Sequence, residues 1–348
     1  MRDFRNHLLL YNQTIKDALK RLNTLDDHLA LFIVDDNDTL IGTLTDGDIR
    51  RALVSDYIVD DVVEKVMHRE FTSLVLGRFN MDQILEIKKR KLALIPIVDD
   101  QLTIKRLINF EEMKSVLPIE AIIMAGGEGK RLRPFTETVP KPLLKVGNKP
   151  IIEYNVDRLA EYGVQQIHIS IKYLGHLIEE YLQNGDSKNI SISYVSEGSP
   201  LGTIGSVSLI KNLNCDYILI MNSDILTNID YEDFFIEFIN QDADMAVATI
   251  PYKVDIPYAV LETNQNLVID FKEKPTYTYY SNAGIYLIKR SLIDLIPQNE
   301  FYNATDLMEV LINSGRKLIS YPLLSYWLDI GKHDDFEKAQ EDIKHIKF

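Results

Sequence analysis

Short apolar runs alternate with helical stretches over the last two thirds of this sequence. The run Ala121–Ala125 is wholly apolar and is followed by a glycine-rich loop. Such a run is expected of a strand that is buried on both faces of a parallel sheet. Further strand-like runs occupy residues 166–171, 191–195, 217–221 and 245–250. Helical stretches lie between them, at residues 151–162, 177–184, 204–212 and 231–240. This order predicts an α/β fold whose mostly parallel sheet is covered on both faces.

A different pattern occupies the N-terminal third. One copy of it has a helix at Ile15–Leu22, strands at Leu29–Val34 and Leu40–Leu44, and a second helix from Asp48. A looser copy follows, with a helix at residues 81–90 and strands at residues 94–98 and 102–108. A period of about 60 residues indicates an internal duplication. We therefore expect an α+β domain over residues 1–116 and a separate α/β domain over residues 118–348.

Composition excludes several classes of function. The 348 residues carry a net charge of -14, which disfavours binding to nucleic acid. No apolar run approaches the length of a membrane-spanning helix. The single cysteine, Cys215, cannot form an intramolecular disulfide or a zinc site of cysteines. These features predict a cytoplasmic protein without a nucleic-acid or membrane partner.

A glycine-rich loop follows the strand Ala121–Ala125. Its three glycines, Gly126, Gly127 and Gly129, let the backbone approach a ligand and direct N–H groups at phosphates. The spacing fits neither the Walker A loop nor the dinucleotide-binding fingerprint. Four cations follow within about a dozen positions of the loop: Lys130, Arg131, Arg133 and Lys141. A triphosphate site explains this combination, and a plain turn beside a solvated basic surface is the alternative.

The stretch Gly126–Pro134, followed by Pro140-Lys141-Pro142, resembles the sequence pattern of sugar-phosphate nucleotidylyltransferases. The resemblance covers roughly residues 119–348 and departs from the family at Lys130, where threonine or serine is usual. It implies a Rossmann-like α/β fold and an Mg²⁺-dependent reaction without a covalent intermediate. The substrates would be a nucleoside triphosphate (NTP) and a sugar 1-phosphate, and the products a nucleoside diphosphate (NDP)-sugar and pyrophosphate, in the biosynthesis of glycans or cell-surface sugars.

The resemblance also implies roles for individual residues. Catalysis would use Arg131, Lys141 and Asp224. The metal would be held by Asp224 and Asp329, two carboxylates that together suit Mg²⁺. The nucleotide would contact Gly126, Gly127, Gly129, Lys130, Gly202 and Thr203. The sugar phosphate would contact Glu197, Lys274, Asn282 and Gly284, although Glu197 is equally well placed to support the loop.

The segment Leu201–Ser206 has the form Leu-Gly-Thr-Ile-Gly-Ser, which looks most like the guanylyl-transferring branch of the family. GTP is therefore favoured over UTP, dTTP and CTP. An ordinary helix start is the alternative, because threonine and serine cap helices. The identity of the sugar does not follow from the sequence.

The stretch Gly42–Leu53 closely resembles the end of the first repeat of a cystathionine-β-synthase-type (CBS) domain pair. In that family, the residues matching Thr45 and Asp48 contact an adenine nucleotide. Both residues could instead cap the helix that follows them. The second repeat has no equivalent of either residue. A regulatory or dimerising CBS pair, and hence a homo-oligomer, is expected.

Two other functions compete with this interpretation. A non-catalytic nucleotide sensor would retain the fold but would not need all the charged residues of the site. The presence of Asp224, Asp329, Arg131, Lys141 and Lys274 together therefore argues against it. A bifunctional enzyme fused to an acetyltransferase would need a run of hexapeptide repeats, but residues 334–346 have a helical pattern.

Overall fold

The structure is a computed structural model that describes residues 4–25, 30–76 and 78–346. The chain divides into two compact units, Met1–Pro118 and Ile119–Phe348. Among the described residues, no helix combines the length and apolar character needed to cross a bilayer.

The N-terminal unit contains two similar three-stranded sheets, β1-β2-β3 and β4-β5-β6. In each sheet a short first strand pairs in parallel with the second strand, which pairs antiparallel with the third. Its elements are β1 (Leu8–Leu10), α1 (Ile15–Leu22), β2 (Ala30–Val34), β3 (Leu40–Thr45), α2 (Asp46–Val54), β4 (Leu74–Val75), α3 (Met81–Lys89), β5 (Leu94–Val98) and β6 (Ile104–Asn109). The helices and strands expected in both copies are present, and Leu29, expected at the start of β2, lies outside the described residues.

The two copies differ at their ends. After β3 the chain forms α2, whereas the described residues after β6 form turns at the matching position. Residues Phe32, Leu40, Val98 and Ile104 form one buried apolar cluster that joins the two sheets. The packing of one copy against the other therefore holds this unit together.

The C-terminal unit is built on a seven-stranded sheet of order β11-β10-β7-β12-β17-β14-β18, in which only β17 runs antiparallel. Its strands are β7 (Ile119–Ala125), β8 (Lys145–Val146), β9 (Lys149–Pro150), β10 (Gln166–Ile171), β11 (Ser191–Ser196), β12 (Tyr217–Asn222), β13 (Ile225–Thr227), β14 (Met245–Asp255), β15 (Val260–Asn264), β16 (Leu267–Lys272), β17 (Thr276–Lys289), β18 (Leu318–Pro322) and β19 (Trp327–Asp329). Its helices are α4 (Ile151–Glu161), α5 (Gly175–Leu182), α6 (Tyr231–Asn240), α7 (Ala304–Asn313) and α8 (His333–Asp342). The expected mostly parallel α/β sheet is confirmed.

Apolar side chains on both faces of this sheet are buried. Ile122 of β7 packs in a cluster with Leu307 and Leu311 of α7, on one face. Its neighbours Ala121 and Ile123, which point to the opposite face, are also fully buried. The continuous apolar character of β7 follows from this double burial.

One predicted helix was wrong. Residues 204–212 were expected to be helical, but the structure has only a short 3₁₀ turn at Gly205–Leu209. The backbone N–H groups of Ile204 and Gly205 both donate to the carbonyl of Tyr302. This tertiary pairing competes with α-helical hydrogen bonds at the start of the segment.

An arm, defined here as residues 251–281, extends from the sheet. Its base consists of the outer halves of β14 and β17, which pair from Pro251↔Tyr280 to Asp255↔Thr276. Its outer part is the separate hairpin of β15 and β16. Every residue of β16 is exposed.

Candidate active site

Two carboxylates meet at the carboxyl edge of the sheet. Asp224 follows β12, and Asp329 ends β19. The short antiparallel pairing of β13 with β19 places Ile225 opposite Asp329, and the N–H of Ile330 donates to the carbonyl of Asp224 at 3.0 Å. The two acidic residues, about a hundred positions apart in the chain, are therefore held side by side as expected.

Lys141 lies between these carboxylates. Its Nζ donates to Asp224 Oδ2 and lies 3.9 Å from Asp329 Oδ1. Lys141 is 8% exposed, because the turn between Pro140 and Pro142 carries it inward. The cation and both acids thus form one compact charged group.

The charges within this group oppose one another. Burial, and then the nearby charge of Asp224, raise the pKa of Asp329, although Lys141 and Arg131 act to lower it. Asp224 Oδ1 and Asp329 Oδ1 are buried and have no hydrogen-bond partner among the described residues. Buried carboxylate oxygens without donors are costly unless a cation is bound.

A hard divalent cation fits these two oxygens, since Mg²⁺ prefers oxygen ligands and retains waters or substrate phosphates. Within the described residues no cluster of three or more His, Cys, Asp or Glu side chains could hold a metal. The protein therefore offers Asp224 and Asp329, and the remaining ligands would have to come from substrate and solvent.

The glycine loop passes the same edge. A Cβ on Gly126 would lie 2.8 Å from Oε1 of Glu197, and one on Gly129, where φ is +62°, would lie 3.0 Å from Cβ of Lys141. Gly127 has open space around it. Two of the three glycines are thus needed for packing, and Gly127 presents backbone to solvent.

Glu197 lies buried beneath the loop. Its Oε1 accepts a hydrogen bond from Ser170 at 2.7 Å, and its Oε2 accepts one from the N–H of Leu201 at 3.3 Å. The side chain therefore links β10, the glycine loop and the segment 201–206. This geometry gives Glu197 a supporting role, and its contact with a sugar stays a prediction.

The basic side chains of the loop are exposed. Lys130 Nζ lies 3.2 Å from Glu128, so the residue that departs from the family pattern has an ion-pair partner within the loop. The guanidinium of Arg131 lies over Gly331, where a Cβ would be 3.3 Å from Nη2. Arg131 is thereby placed near Asp329, whose pKa its charge acts to lower.

The segment Leu201–Ser206 is docked on the start of α7. A Cβ on Gly202, where φ is +79°, would lie 2.6 Å from the carbonyl oxygen of Tyr302. The hydroxyl of Thr203 accepts the N–H of Ala304 at 2.8 Å. Thr203 therefore caps α7 and not the 3₁₀ turn that follows it in the chain.

Asn282 and Gly284 lie at an irregularity in β17, where the pairing with β14 shifts register. Asn282 Nδ2 donates to the hydroxyl of Tyr286 at 2.9 Å, and Asn282 Oδ1 accepts the N–H of Gly284 at 2.8 Å. A Cβ on Gly284 would lie 2.6 Å from Nδ2 of Asn222. Gly284 thus lies beside Asn222 and Ile225, which flank Asp224, and Asn282 is hydrogen-bonded to Gly284.

Lys274 is placed differently. It lies in the arm between β16 and β17, exposed, with φ of +43°. Its side chain makes no hydrogen bond or ion pair within the part of the chain that the structure describes. No contact joins it to Lys141 or the two acids, so its role at the sugar phosphate stays a prediction.

Three contributing residues escaped the sequence analysis. Ser170 holds Glu197, and Asn303 Oδ1 accepts the N–H of Thr203 at 3.2 Å. Asp335 accepts the N–H groups of Gly331 and Lys332, which fixes the turn beneath Arg131. The sequence did offer a sign for Asp335. An acidic residue in the first turn of a helix can accept hydrogen bonds from the backbone N–H groups just before that helix.

In the N-terminal unit, Thr45 and Asp48 form a capping box at the start of α2. Asp48 also pairs with His68 and Arg51. Burial acts to raise the pKa of Asp48, but hydrogen bonds from Thr45 and the pairing with His68 hold it below the usual value. The helix-capping alternative is therefore present in the structure, while binding of an adenine nucleotide there stays a prediction.

Comparisons with known proteins match both units. A family model described as nucleotidyl transferase matches residues 120–346, and one described as CBS domain matches residues 8–55. A solved structure from Bacillus anthracis, provisionally named a glucose-1-phosphate thymidylyltransferase and in complex with a sucrose, superposes with a TM-score of 0.54 at 25% identity. The match covers 66% of this chain and 97% of the solved chain.

Two relatives illustrate the range of lengths. D-glycero-alpha-D-manno-heptose 1-phosphate guanylyltransferase of Aneurinibacillus thermoaerophilus is 32% identical over 65% of this chain and 99% of the relative. Mannose-1-phosphate guanyltransferase of Schizosaccharomyces pombe is 29% identical over 63% of this chain, which spans 62% of that relative's length. Through residues 120–346, this chain belongs to the nucleotidyl transferase family.

Proposed function

We propose that the C-terminal unit transfers a nucleotidyl group from an NTP to a sugar 1-phosphate, releasing pyrophosphate and an NDP-sugar. The observation that carries the proposal is the grouping of Asp224 and Asp329 around Lys141, beside the glycine loop. Names of relatives that act on sugar 1-phosphates support the same reaction class.

In the proposed reaction, a phosphate oxygen of the sugar 1-phosphate forms a bond to the α-phosphorus. The bond from that phosphorus to the bridging oxygen breaks, and pyrophosphate leaves with the electron pair. Asp224 and Asp329 would hold Mg²⁺, which supplies charge neutralisation at the phosphate oxygens when bound. Positioning and electrostatics then provide most of the rate.

The cations of this chain divide the remaining work. Lys141, already beside the two carboxylates, is placed to bind the reacting phosphates. Arg131 would stabilise the β- and γ-phosphates and the departing pyrophosphate. The backbone at Gly127, with open space around it, would approach the nucleotide, and Asn282 would hydrogen-bond sugar hydroxyls.

GTP is the favoured nucleotide because both guanylyl-transferring relatives and the segment Leu201–Ser206 point to it. A uridylyltransferase of Synechocystis, 29% identical over 66% of this chain, keeps UTP as the alternative. We also propose that the divalent ion is Mg²⁺ and that the reaction serves sugar-nucleotide biosynthesis in the cytoplasm. The proposed ligand of the N-terminal unit is an adenine nucleotide.

The test is pyrophosphate release with four NTPs and a panel of sugar 1-phosphates, with and without AMP or ATP. Asp224→Asn and Arg131→Ala should each lower kcat by about a hundredfold or more, as loss of a charged transition-state contact does. Asp216→Asn is the matched control, because Asp216 lies before the start of β12 and is 80% exposed. Near-normal turnover in both site variants would contradict the proposal.

A further inference from the structure

The stretch that carries Arg131 is closed on itself as a loop. The hydroxyl of Thr136 donates to the carbonyl of Gly129 at 2.9 Å, and Thr136 is fully buried. Between these ends Leu132 is also fully buried, whereas Arg131 itself is exposed. We call residues 129–136 the basic loop. Because exposed loops are usually mobile, a fixed position for the guanidinium requires a contact that holds the backbone beside it.

One such contact comes from the C-terminal helix. Nε2 of His333, the first residue of α8, donates to the carbonyl of Arg133 at 2.9 Å. A carbonyl oxygen can only accept, so Nε2 carries a proton whether the imidazole is neutral or charged. The ring of Phe135 packs edge-on against that of His333, with the centroids 5.1 Å apart. This aromatic contact favours one orientation of the imidazole.

The same end of α8 also holds the surface on which Arg131 lies. The guanidinium of Arg131 lies over Gly331. Asp335, in the first turn of α8, accepts the N–H groups of Gly331 and Lys332 at 3.2 and 3.0 Å. The first turn of α8 therefore holds both the backbone two residues beyond Arg131 and the turn beneath its guanidinium.

Apolar packing docks α8 independently of His333. Leu132 belongs to a buried cluster that includes Ile330 and Ala339, and Phe336 of α8 packs against the same cluster. Burial of this kind supplies most of the stabilisation of a docked helix. A change at His333 should therefore loosen the basic loop and leave the helix in place.

We propose that His333 is a positioning residue for the transfer reaction. It holds the basic loop so that Arg131 meets the β- and γ-phosphates of the NTP. It is not a catalytic residue, because its Nε2 is bonded to backbone. Among the described residues, it makes no hydrogen bond or ion pair with Lys141, Asp224 or Asp329. The positioning role rests on the proposed function, whereas the fixing of the loop does not.

Hydrogen exchange of the full chain, read by mass spectrometry of peptides that cover residues 129–136, tests the fixing of the loop without an activity assay. The protected amides there include those of Leu132 and Phe135, which donate to Gly129 and Leu132. His333→Ala should speed exchange in these peptides by about threefold to tenfold, the effect of losing one hydrogen bond. Peptides from β12 should exchange as in the wild-type chain.

Two further variants make the comparison specific. His333→Gln keeps a side-chain N–H that can donate to the carbonyl of Arg133, so exchange of the basic loop should stay near the wild-type rate. Glu337→Ala is the matched control, because Glu337 is exposed on the same helix. It should leave the exchange unchanged.

Steady-state kinetics test the positioning role. His333→Ala should lower kcat/KM for the NTP by about threefold to tenfold and keep KM for the sugar 1-phosphate within about twofold of the wild-type value. His333→Gln should recover the NTP value, and Glu337→Ala should keep it. A purely structural defect would weaken both substrates together and lower the unfolding temperature.

Unchanged exchange in His333→Ala would overturn the proposal, and so would a His333→Gln variant that exchanges as fast as His333→Ala. Equal losses for the two substrates would overturn the positioning role. A wild-type chain that releases no pyrophosphate with any substrate pair would refute the proposed function and the positioning role with it. The exchange data would still show whether His333 holds the loop, so the two failures can be told apart.

Discussion

At the scale of single residues, Gly126 and Gly127 are neighbours with opposite requirements. A side chain on Gly126 meets the carboxylate of Glu197, which is buried and already bonded to Ser170 and Leu201. A side chain on Gly127 meets nothing within 4 Å. Adjacent glycines in one loop therefore serve different purposes, one for packing and the other for access.

Gly126→Ala should lower the free energy of unfolding by about 1–3 kcal/mol, because the added methyl group forces Glu197 from its hydrogen bonds. Gly127→Ala should change it by less than about 0.5 kcal/mol. Thermal unfolding of the two variants measures the difference. Equal losses of stability would show that the loop does not rest on Glu197.

Residue types alone carried much of the proposed site. The loop glycines and Lys141 stood out by chemistry and spacing, the family resemblance added the pair of Asp224 and Asp329, and the structure brings these groups together. The hydrogen-bond partner of each site side chain could not be identified from the sequence. From the sequence, Glu197 could have faced either a ligand or the loop. Its contacts with Ser170 and Gly126 show that it faces the loop.

At the scale of elements, the segment Leu201–Ser206 depends on α7, a hundred residues later. Gly202 approaches the backbone of Tyr302, and Thr203 accepts the N–H of Ala304. Any change at Gly202 should therefore disturb the start of α7 as well as the proposed nucleotide site.

Gly202→Ala should destabilise the C-terminal unit by a few kcal/mol, since a left-handed φ and a contact of 2.6 Å with backbone both oppose a side chain. Gly198→Ala, in the same loop with no atom within 4 Å, should be nearly neutral. Chemical denaturation followed by the fluorescence of Trp327, the single tryptophan, reports both. A neutral Gly202→Ala would contradict the docking.

The start of α2 predicts a pH dependence. Since the folded pKa of Asp48 is held below 3.8, its ionised form stabilises the N-terminal unit at neutral pH. This contribution is present above the unfolded pKa and is lost as the pH falls through the folded value. The stability of the unit should accordingly fall in acid.

Asp48→Asn should lower the unfolding temperature of the N-terminal unit at about pH 7 and shrink the further loss between about pH 7 and pH 3.5. Asp46→Asn is the control, because among the described residues Asp46 pairs only with the exposed side chain of Arg50 in the same helix. Differential scanning calorimetry measures both. An undiminished acid loss in Asp48→Asn would exclude Asp48 as a contributor.

At the scale of the whole molecule, the two units of the chain match separate family models. A relative aligned over 99% of its own length corresponds to only 65% of this chain. The C-terminal unit is therefore expected to fold and act without the N-terminal one.

A chain of residues 119–348 alone should release pyrophosphate with kcat within a few-fold of the full chain. AMP or ATP, if it acts through the N-terminal unit, should change the rate of the full chain and not that of the shortened chain. Steady-state assays of the two proteins side by side make the comparison. A well-folded but inactive shortened chain would contradict the assignment of all catalytic groups to this unit.

Local sequence by itself indicated most strands of the sheet and the glycine loop with its cations, because periodicity, glycine positions and charge act over a few residues. The family resemblance added the pair of acids. Tertiary structure decided which groups meet. The pairing of β13 with β19 that joins Asp224 to Asp329 and the 3₁₀ turn at Gly205–Leu209 both depend on partners far along the chain. Such contacts follow from packing of the whole fold, which no local pattern encodes.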